Sequence, residues 1–477
     1  MSTPPETTYS PRIYPLDAHK LTEEEIAVAF AMTSRRAEPF DEIAEQVSKE
    51  KAADFHERWV LGYGHASVAE HAVIHLAVEN ISRLVCDTLE DNRLASYTEK
   101  SSRYQLMPRD YFHIPEELEA NPEAKAVYLS TCQGLFASYE QLVEGCMEYL
   151  RHELPQRERE RDGAYNLRLR RLTTDACRSA LPSATLTNVG LTANARVLEH
   201  AISKLMSSGL AEERLLGEQL REQGRVITPT LIKYADRSKY LEDTLQRDWQ
   251  LRFHAGAGGL SGNSTTVNLV HFDGHAEEKL TAALLFRLSS GDYVGAWEQS
   301  QEMDPEARSQ LIGNLMENLG DHDAPLREFE LVDYTFEYIM DYGAYREFKR
   351  HRMQSYFPQA LTADLGYKTP ELLLQAGLEE SFSGAMEMAE EGFRRISQDA
   401  PLAAQYLVTH GHYRRVLSKL NLRECYHLFK LRSSKQAHES IREPVLEAMR
   451  LAVEVHPQLF RWLKLRDYPD WWPFDDR

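Results

Sequence analysis

The feature that most restricts the architecture of this chain is a repeat at half its length. RIYPLD (12–17), followed by LTEEEIAVAFAMTSRRA, has a counterpart in VNLVHFD (267–273), followed by EEKLTAALLFRLSSGD. VLGYGHASV (60–68) parallels MENLGDHDAP (316–325), and DNRLASY (91–97) parallels RHRMQSY (350–356). NARVLEHAISKL (194–205) parallels NLRECYHLFKLR (421–432), and all four matches keep the same order in both halves. Ordered self-similarity of this kind means one supersecondary unit used twice.

Each half reads as a short strand, helices, a strand running into the DNR or RHR segment, and a helix-rich insertion (115–160 and 370–397). Each then ends in a long helix (194–222 and 419–454). The expected class is α+β, two tandem copies of one domain, each a mixed sheet packed with long helices. The copies span 11–245 and 267–477, with a Gly/Ser-rich linker at 246–266. AGAGGLSGNSTT (255–266) lacks the Gly-Lys-[Ser/Thr] ending of a phosphate loop and precedes a strand-like VNLV, so it reads as a linker.

Composition narrows the function. The 477 residues carry a formal net charge of −19, which argues against broad electrostatic binding to polymeric nucleic acid or an anionic membrane. Any bound anion must be held by a local basic cluster. No apolar run reaches the roughly 18 residues of a membrane span, and the N-terminus lacks a signal pattern, so the expected location is cytoplasmic. Cys86, Cys132, Cys146, Cys177 and Cys425 are odd in number and widely spaced. Neither a disulfide framework nor a metal site is expected from them.

The basic cluster is found in the second half. Arg346, Lys349, Arg350, His351 and Arg352 fall within seven residues and are followed by Met353, Gln354, Ser355, Tyr356 and Phe357. A solvated helix face is the plain reading of such a run. The aromatic and apolar residues after it suit a wall beside a planar ligand, and paired guanidiniums suit a phosphate. The first half has Asp91, Asn92 and Arg93 at the triplet, then a hydroxyl-rich loop with Glu99, Ser101, Ser102, Arg103 and Tyr104. On a helix, Asn421 and Arg432 share one face about three turns apart, with His427 between them in sequence. In the first half the same positions are Asn194, Leu205 and His200, whereas Arg178 has Gln405 as its second-half counterpart.

Together these segments resemble the flavin-dependent thymidylate synthases. RHRMQSYFPQA (350–360) carries that family's Arg-His-Arg triplet, with Ala360 where the family has serine and Pro358 where it has a polar residue. NLRECYHLFKLRSSKQAHESIRE (421–443) resembles its late helix, and GHASVAEH (64–71) and ASYTEKSSRY (95–104) resemble two other segments. The resemblance implies a substrate site built from both halves: Arg350 and Arg432, also expected to be catalytic, with Glu99, Ser101, Ser102, Arg103 and Arg178. The reciprocal site would use Asp91, Leu205, Ala360, Thr362 and Gln405 and has lost its residues. Flavin contacts are implied for His351, Arg352, Asn421 and His427, with Ser34, His65, Ser67, Glu70 and Asn194. For His65 and His427 a packed histidine is the competing reading.

The implied reaction is reductive methylation of dUMP to dTMP with FAD as cofactor and NADPH and methylenetetrahydrofolate as co-substrates, with no metal and no protein nucleophile. A homodimer would then replace the family's tetramer. A non-catalytic nucleotide- or flavin-binding descendant, or a relative modifying another pyrimidine nucleotide, is the alternative.

Overall fold

The computed structural model describes residues 12–16, 20–34, 36, 38–62, 66–245, 247 and 266–474. Its principal elements begin with α1 (Glu23–Thr33), β1 (Val73–Ser82), α2 (Arg83–Leu89), β2 (Ser96–Glu99), α3 (Pro122–Glu153) and α4 (Asp162–Cys177). β3 (Leu186–Asn194), α5 (Ala195–Met206), α6 (Ala211–Ile227), β4 (Val267–Phe272) and α7 (Ala276–Leu288) follow. The remainder is β5 (Asp333–Asp341), α8 (Tyr342–Phe348), β6 (Ser355–Pro358), α9 (Glu379–Ser397), β7 (Tyr413–Asn421), α10 (Leu422–Arg432) and α11 (Glu439–Val455). The architecture is mixed α+β with two small sheets, ordered β1-β3-β2 and β4-β5-β7-β6.

The compact units do not follow the two halves of the sequence. One comprises Met1–Lys100, Pro115–Glu117 and Leu186–Ala257; the other comprises Ser101–Ile114, Leu118–Thr185 and Gly258–Arg477. The first-half helices α3 and α4 therefore belong to the second unit. The linker expected at 246–266 lies outside the described residues except for Arg247 and Thr266.

In the first unit, the antiparallel β1-β3-β2 sheet pairs Val73 with Asn194 and Ser96 with Thr192. Ile74, Val78, Val189 and Leu191 meet Leu198, Ile202 and Leu205 of α5 and Leu216 and Leu220 of α6 in one core. Each such side chain contributes about 2 kcal/mol by leaving water. In the second unit β5 and β7 pair Asp333 with Asn421, and β6 pairs Ser355 with Lys419, two residues before that asparagine. Ser96 sits opposite the residue two before Asn194 in the same way, so the three-strand register is shared. β5 alternates strictly, burying Tyr334, Phe336, Tyr338 and Met340, as period-two side-chain geometry requires.

The structure corrects several expectations. Residues 12–16 form no strand, unlike their counterpart β4. The long terminal helices are each two helices, broken at 207–210 and 433–438. The repeat also needs realignment: the 3₁₀ helix Ala66–His71 precedes β1 as Arg327–Leu331 precedes β5. Glu70 pairs with Arg196, and Glu330 pairs with Arg423 at 2.8 Å, so one ion pair recurs in both places.

Within the second unit two equivalent segments pair with each other about a local two-fold axis. Ser183 N–H donates to Val408 O (2.8 Å) and His410 N–H to Leu181 O (2.9 Å); Ala184 N–H donates to Tyr406 O and Gly411 N–H to Ser179 O. Adding 227 to the first-half residue of one bond and subtracting 227 from its second-half residue gives the other bond, with donor and acceptor halves exchanged. Pro182 and Thr409 bridge at the centre. This reciprocity, residue i on j and j on i, is the mark of an isologous contact. The insertion helices α3 and α9 pack together in the same unit. Gly411 is required here, since a Cβ would stand 2.9 Å from Ser179 O, one residue after Arg178.

Candidate functional site

The second unit gathers arginines from segments far apart in sequence around one carboxylate. Arg178 follows the C-terminus of α4, Arg103 lies in the loop after Ser101, and Arg432 ends α10. Arg178 Nη2 donates to Glu347 Oε1 at 3.2 Å, and Arg103 Nη1 stands 3.6 Å from the same oxygen. Arg432 Nη1 donates to Glu347 Oε2 at 3.4 Å and its Nη2 to the Glu347 carbonyl at 3.3 Å. Burial works to raise the Glu347 carboxyl, but Arg178, Arg103 and Arg432 together hold it below its ordinary value. Arg103 is fixed separately by a bidentate bond to Asp175 at 2.8 and 3.0 Å.

Histidines brace this cluster. Arg432 Nε donates to His351 Nε2 at 2.9 Å, and His351 Nδ1 lies 3.2 Å from Glu424 Oε1. Arginine has no acceptor, so Nε2 of His351 carries a lone pair and Nδ1 carries the proton toward Glu424. Burial, with Arg432 nearby, lowers the His351 pKa and keeps the ring neutral. His438 behaves similarly. Its Nδ1 accepts from Ser440 N–H, its Nε2 faces Asp175 at 3.4 Å, and burial and Arg178 hold it neutral. Asp341 caps α8 by accepting from Ala344 N–H, and burial raises its carboxyl.

A cavity of about 890 Å³ opens beside this cluster, lined by Arg103, Asp175, Arg178, Asp341 and His438 among others. Leu167, Leu172 and Tyr104 supply an apolar portion of its wall. Tyr104 is stacked against the Arg171 guanidinium at 4.9 Å. This size and mixed lining suit a mononucleotide-scale ligand.

The expected site residues divide between the units. Ser101, Ser102, Arg103, Arg178, Arg350, His351, Arg352, Asn421, His427 and Arg432 belong to the second. Arg350 is exposed, and burial, joined by the nearby charge of Arg350, lowers the Arg432 pKa. The basic run around it is split: Arg346, Lys349 and His351 are buried, while Arg350 and Arg352 are exposed. The planar wall expected after it is not formed by Met353 and Phe357, which are exposed at 61% and 62%. His427 lies against His351, ring centroids 5.3 Å apart. Asn421 caps α10 through its side-chain oxygen.

The others belong to the first unit. Glu99 is bound by Arg83 at 2.8 Å and by Thr187, and both members of the Arg83–Glu99 pair are buried. Ser34 caps α1 through Ala31 O, Glu70 pairs with Arg196, Ser67 is exposed, and Asn194 caps α5. His65 lies outside the described residues.

Sequence reasoning missed Glu347, Asp175, Glu424 and His438. Glu347 lies three residues before Arg350, but α8 ends at Phe348 and leaves Glu347 buried and Arg350 exposed, so spacing alone carried no signal for it. Two groupings have metal-ligand chemistry among the described residues: His351, Glu424 and His427, and Cys86, Glu90 and Glu99. In the first, the proton on His351 Nδ1 stands where the metal would have to bind. In the second, Glu99 is already held by Arg83.

Comparison with known proteins decides the relationship. The profile described as thymidylate synthase complementing protein matches the chain twice, over residues 16–230 and 269–458. The chain belongs to the thymidylate synthase complementing protein family. A Chlamydia muridarum protein called only UPF0159 is 31% identical over 436 residues, covering 88% of this chain and 82% of its own. The UPF0159 protein of Thermoplasma acidophilum is 28% identical over 457 residues, 89% and 91% of the two chains. A flavin-dependent thymidylate synthase of Clostridium tetani is 25% identical over 197 residues, 41% of this chain but 75% of its own.

The Clostridium tetani relative is named for a flavin, and the donor set of this chain can be compared with what a flavin requires. Both ring nitrogens of His351 are engaged within the chain, so this residue supports Arg432 rather than offering a free donor. His427 and Arg352 are exposed, and the side-chain amide nitrogen of Asn421 is not used by its cap. Cationic and amide donors of this kind fit the phosphates and polar ring edge of FAD.

Proposed function

We propose that this chain is a tandem-duplicated flavin-dependent thymidylate synthase-like enzyme that binds dUMP at one site assembled from both repeats and methylates it reductively to dTMP. The observation that carries the reading is the convergence of Arg103 and Arg178, from the first half, with Arg432, from the second, around Glu347 beside the cavity. The reciprocal bonding of 179–184 with 406–411 and the double family match support the duplication. The repeats would run 11–245 and 267–477, and two chains would complete the assembly.

In this reading Arg103, Arg178, Arg350 and Arg432 bind the nucleotide phosphate and polarise the uracil carbonyl where charge develops. Ser101 and Ser102 add hydroxyl contacts. His351 holds the Arg432 guanidinium in place. Arg352, His427 and Asn421 would hold FAD. When bound, FAD supplies the hydride obtained from NADPH, and methylenetetrahydrofolate supplies the carbon. The chain's part is orientation and electrostatic stabilisation rather than nucleophilic attack.

The test is tritium release from 5-tritiated dUMP in the presence of FAD, NADPH and methylenetetrahydrofolate. Release that depends on all of them is the expected result. Flavin absorbance on the purified or reconstituted protein without release would point to another nucleotide. Absence of bound flavin after reconstitution would overturn the enzyme reading.

A further inference from the structure

We propose that Glu347 is a built-in stand-in for the ligand's phosphate: its carboxylate holds the space among Arg103, Arg178 and Arg432 that a phosphomonoester takes on binding. The inference rests on reading this cluster as the nucleotide-phosphate site. Its argument is geometric. Arg103 grips Asp175 with two bonds of 2.8 and 3.0 Å, the distances of strong charge-assisted pairs. The contacts to Glu347 are 3.2, 3.4 and 3.6 Å, long for such pairs and spread over three guanidiniums. One small anion is stretched among cations placed for a larger one.

Both Glu347 oxygens are in use, Oε1 by Arg178 and Arg103 and Oε2 by Arg432. A phosphate cannot approach all three guanidiniums closely while the carboxylate stays between them. Displacement therefore enters every binding event and works as selection. A ligand carboxylate brings the same single charge as Glu347 and gains little by replacing it. A phosphomonoester brings nearly two charges and three acceptor oxygens, so it gains at each arginine. Glu347 thus determines specificity for dianionic over monoanionic ligands.

Glu347→Gln keeps the side-chain length and removes the charge. Titration calorimetry with inorganic phosphate, dUMP and deoxyuridine distinguishes the cases. Phosphate and dUMP should bind Glu347→Gln about tenfold or more tightly than wild type, with deoxyuridine unchanged. Phosphate affinity that is unchanged or weaker in a folded Glu347→Gln protein overturns the proposal. If that variant does not fold, Glu347→Asp, which withdraws the carboxylate by one methylene, should show the same tightening, and its absence would be equally decisive. Phosphate tightening with no dUMP binding to either protein supports the stand-in role and defeats the nucleotide reading. Equal dUMP and phosphate binding to both proteins does the reverse.

Discussion

Asn194 and Asn421 start α5 and α10 alike, each accepting a backbone N–H at 2.9 and 2.8 Å, but the two helices end differently. α10 ends in Arg432, held by His351 and Glu347. α5 has Leu205 at that position, fully enclosed in the first unit's core, and its neighbour Lys204 binds Asp91 at 2.7 Å. Asp91 stands where the second half has Arg350. The first unit has thus neutralised internally the place where the second keeps cations around Glu347.

Another pair is exchanged rather than lost. Ser82, at the start of α2, donates from N and Oγ to Glu212 Oε1 and Oε2 at 2.7 Å each. At the matching start of α8 the acid is Asp341, and the hydroxyl, Ser440, comes from α11. The hydrogen bond survives with its acid on the opposite partner. The difference teaches that packing can preserve a contact while its acid and its hydroxyl change sides.

The comparison can be broken by substitution. The largest effect is expected from Arg178→Ala or Arg432→Ala, which should each weaken dUMP binding by more than about 100-fold. The counterpart change Gln405→Ala should leave it within about twofold. Equal losses by calorimetry would mean the reciprocal site is in use.

An intermediate effect concerns His412 and its two-fold mate Thr185. Burial holds the His412 pKa at about 4, against roughly 6.5 when unfolded. A base depressed in the folded state binds its proton more readily when unfolded. Its contribution is complete above about pH 6.5 and is lost as pH falls toward 4, by up to about 3 kcal/mol. His412→Asn should flatten the denaturant-derived stability profile across that window, whereas Thr185→Ser should not. The smallest effect is expected at the caps: Asn194→Ala and Asn421→Ala should each cost about 1 kcal/mol in chemical denaturation.

The sequence made much of this arrangement readable. Aligned asparagines revealed the shared strand–helix junction, and the asymmetric arginines pointed to Arg103, Arg178 and Arg432, which the fold brings together around Glu347. Letter matching pairs 60–68 with 316–325, whereas the ion pair of Glu70 with Arg196, which aligns the 3₁₀ helix Ala66–His71 with Arg327–Leu331, is a contact invisible in the letters. Glu99 fitted a ligand-binding loop by its neighbours, yet Arg83, sixteen positions earlier, uses it as a buried counter-ion. Glu347 was overlooked because its significance depends on three guanidiniums from distant segments. Local patterns record helix faces and strand alternation, but not which charges converge when insertions fold away from the half that encodes them.

The Pro182–Thr409 bridge has a genetic consequence. Between two identical chains, a substitution near a two-fold axis appears on both sides at once and must be tolerated twice. Here each side has its own codons. Gly411 could remain small against Ser179 O while Ala184, its mate, gained a methyl group, and Gln405 could replace an arginine without endangering Arg178. Joining two copies would release each residue from agreement with its twin, and under the proposed function that independence would let one binding place specialise while the other served packing.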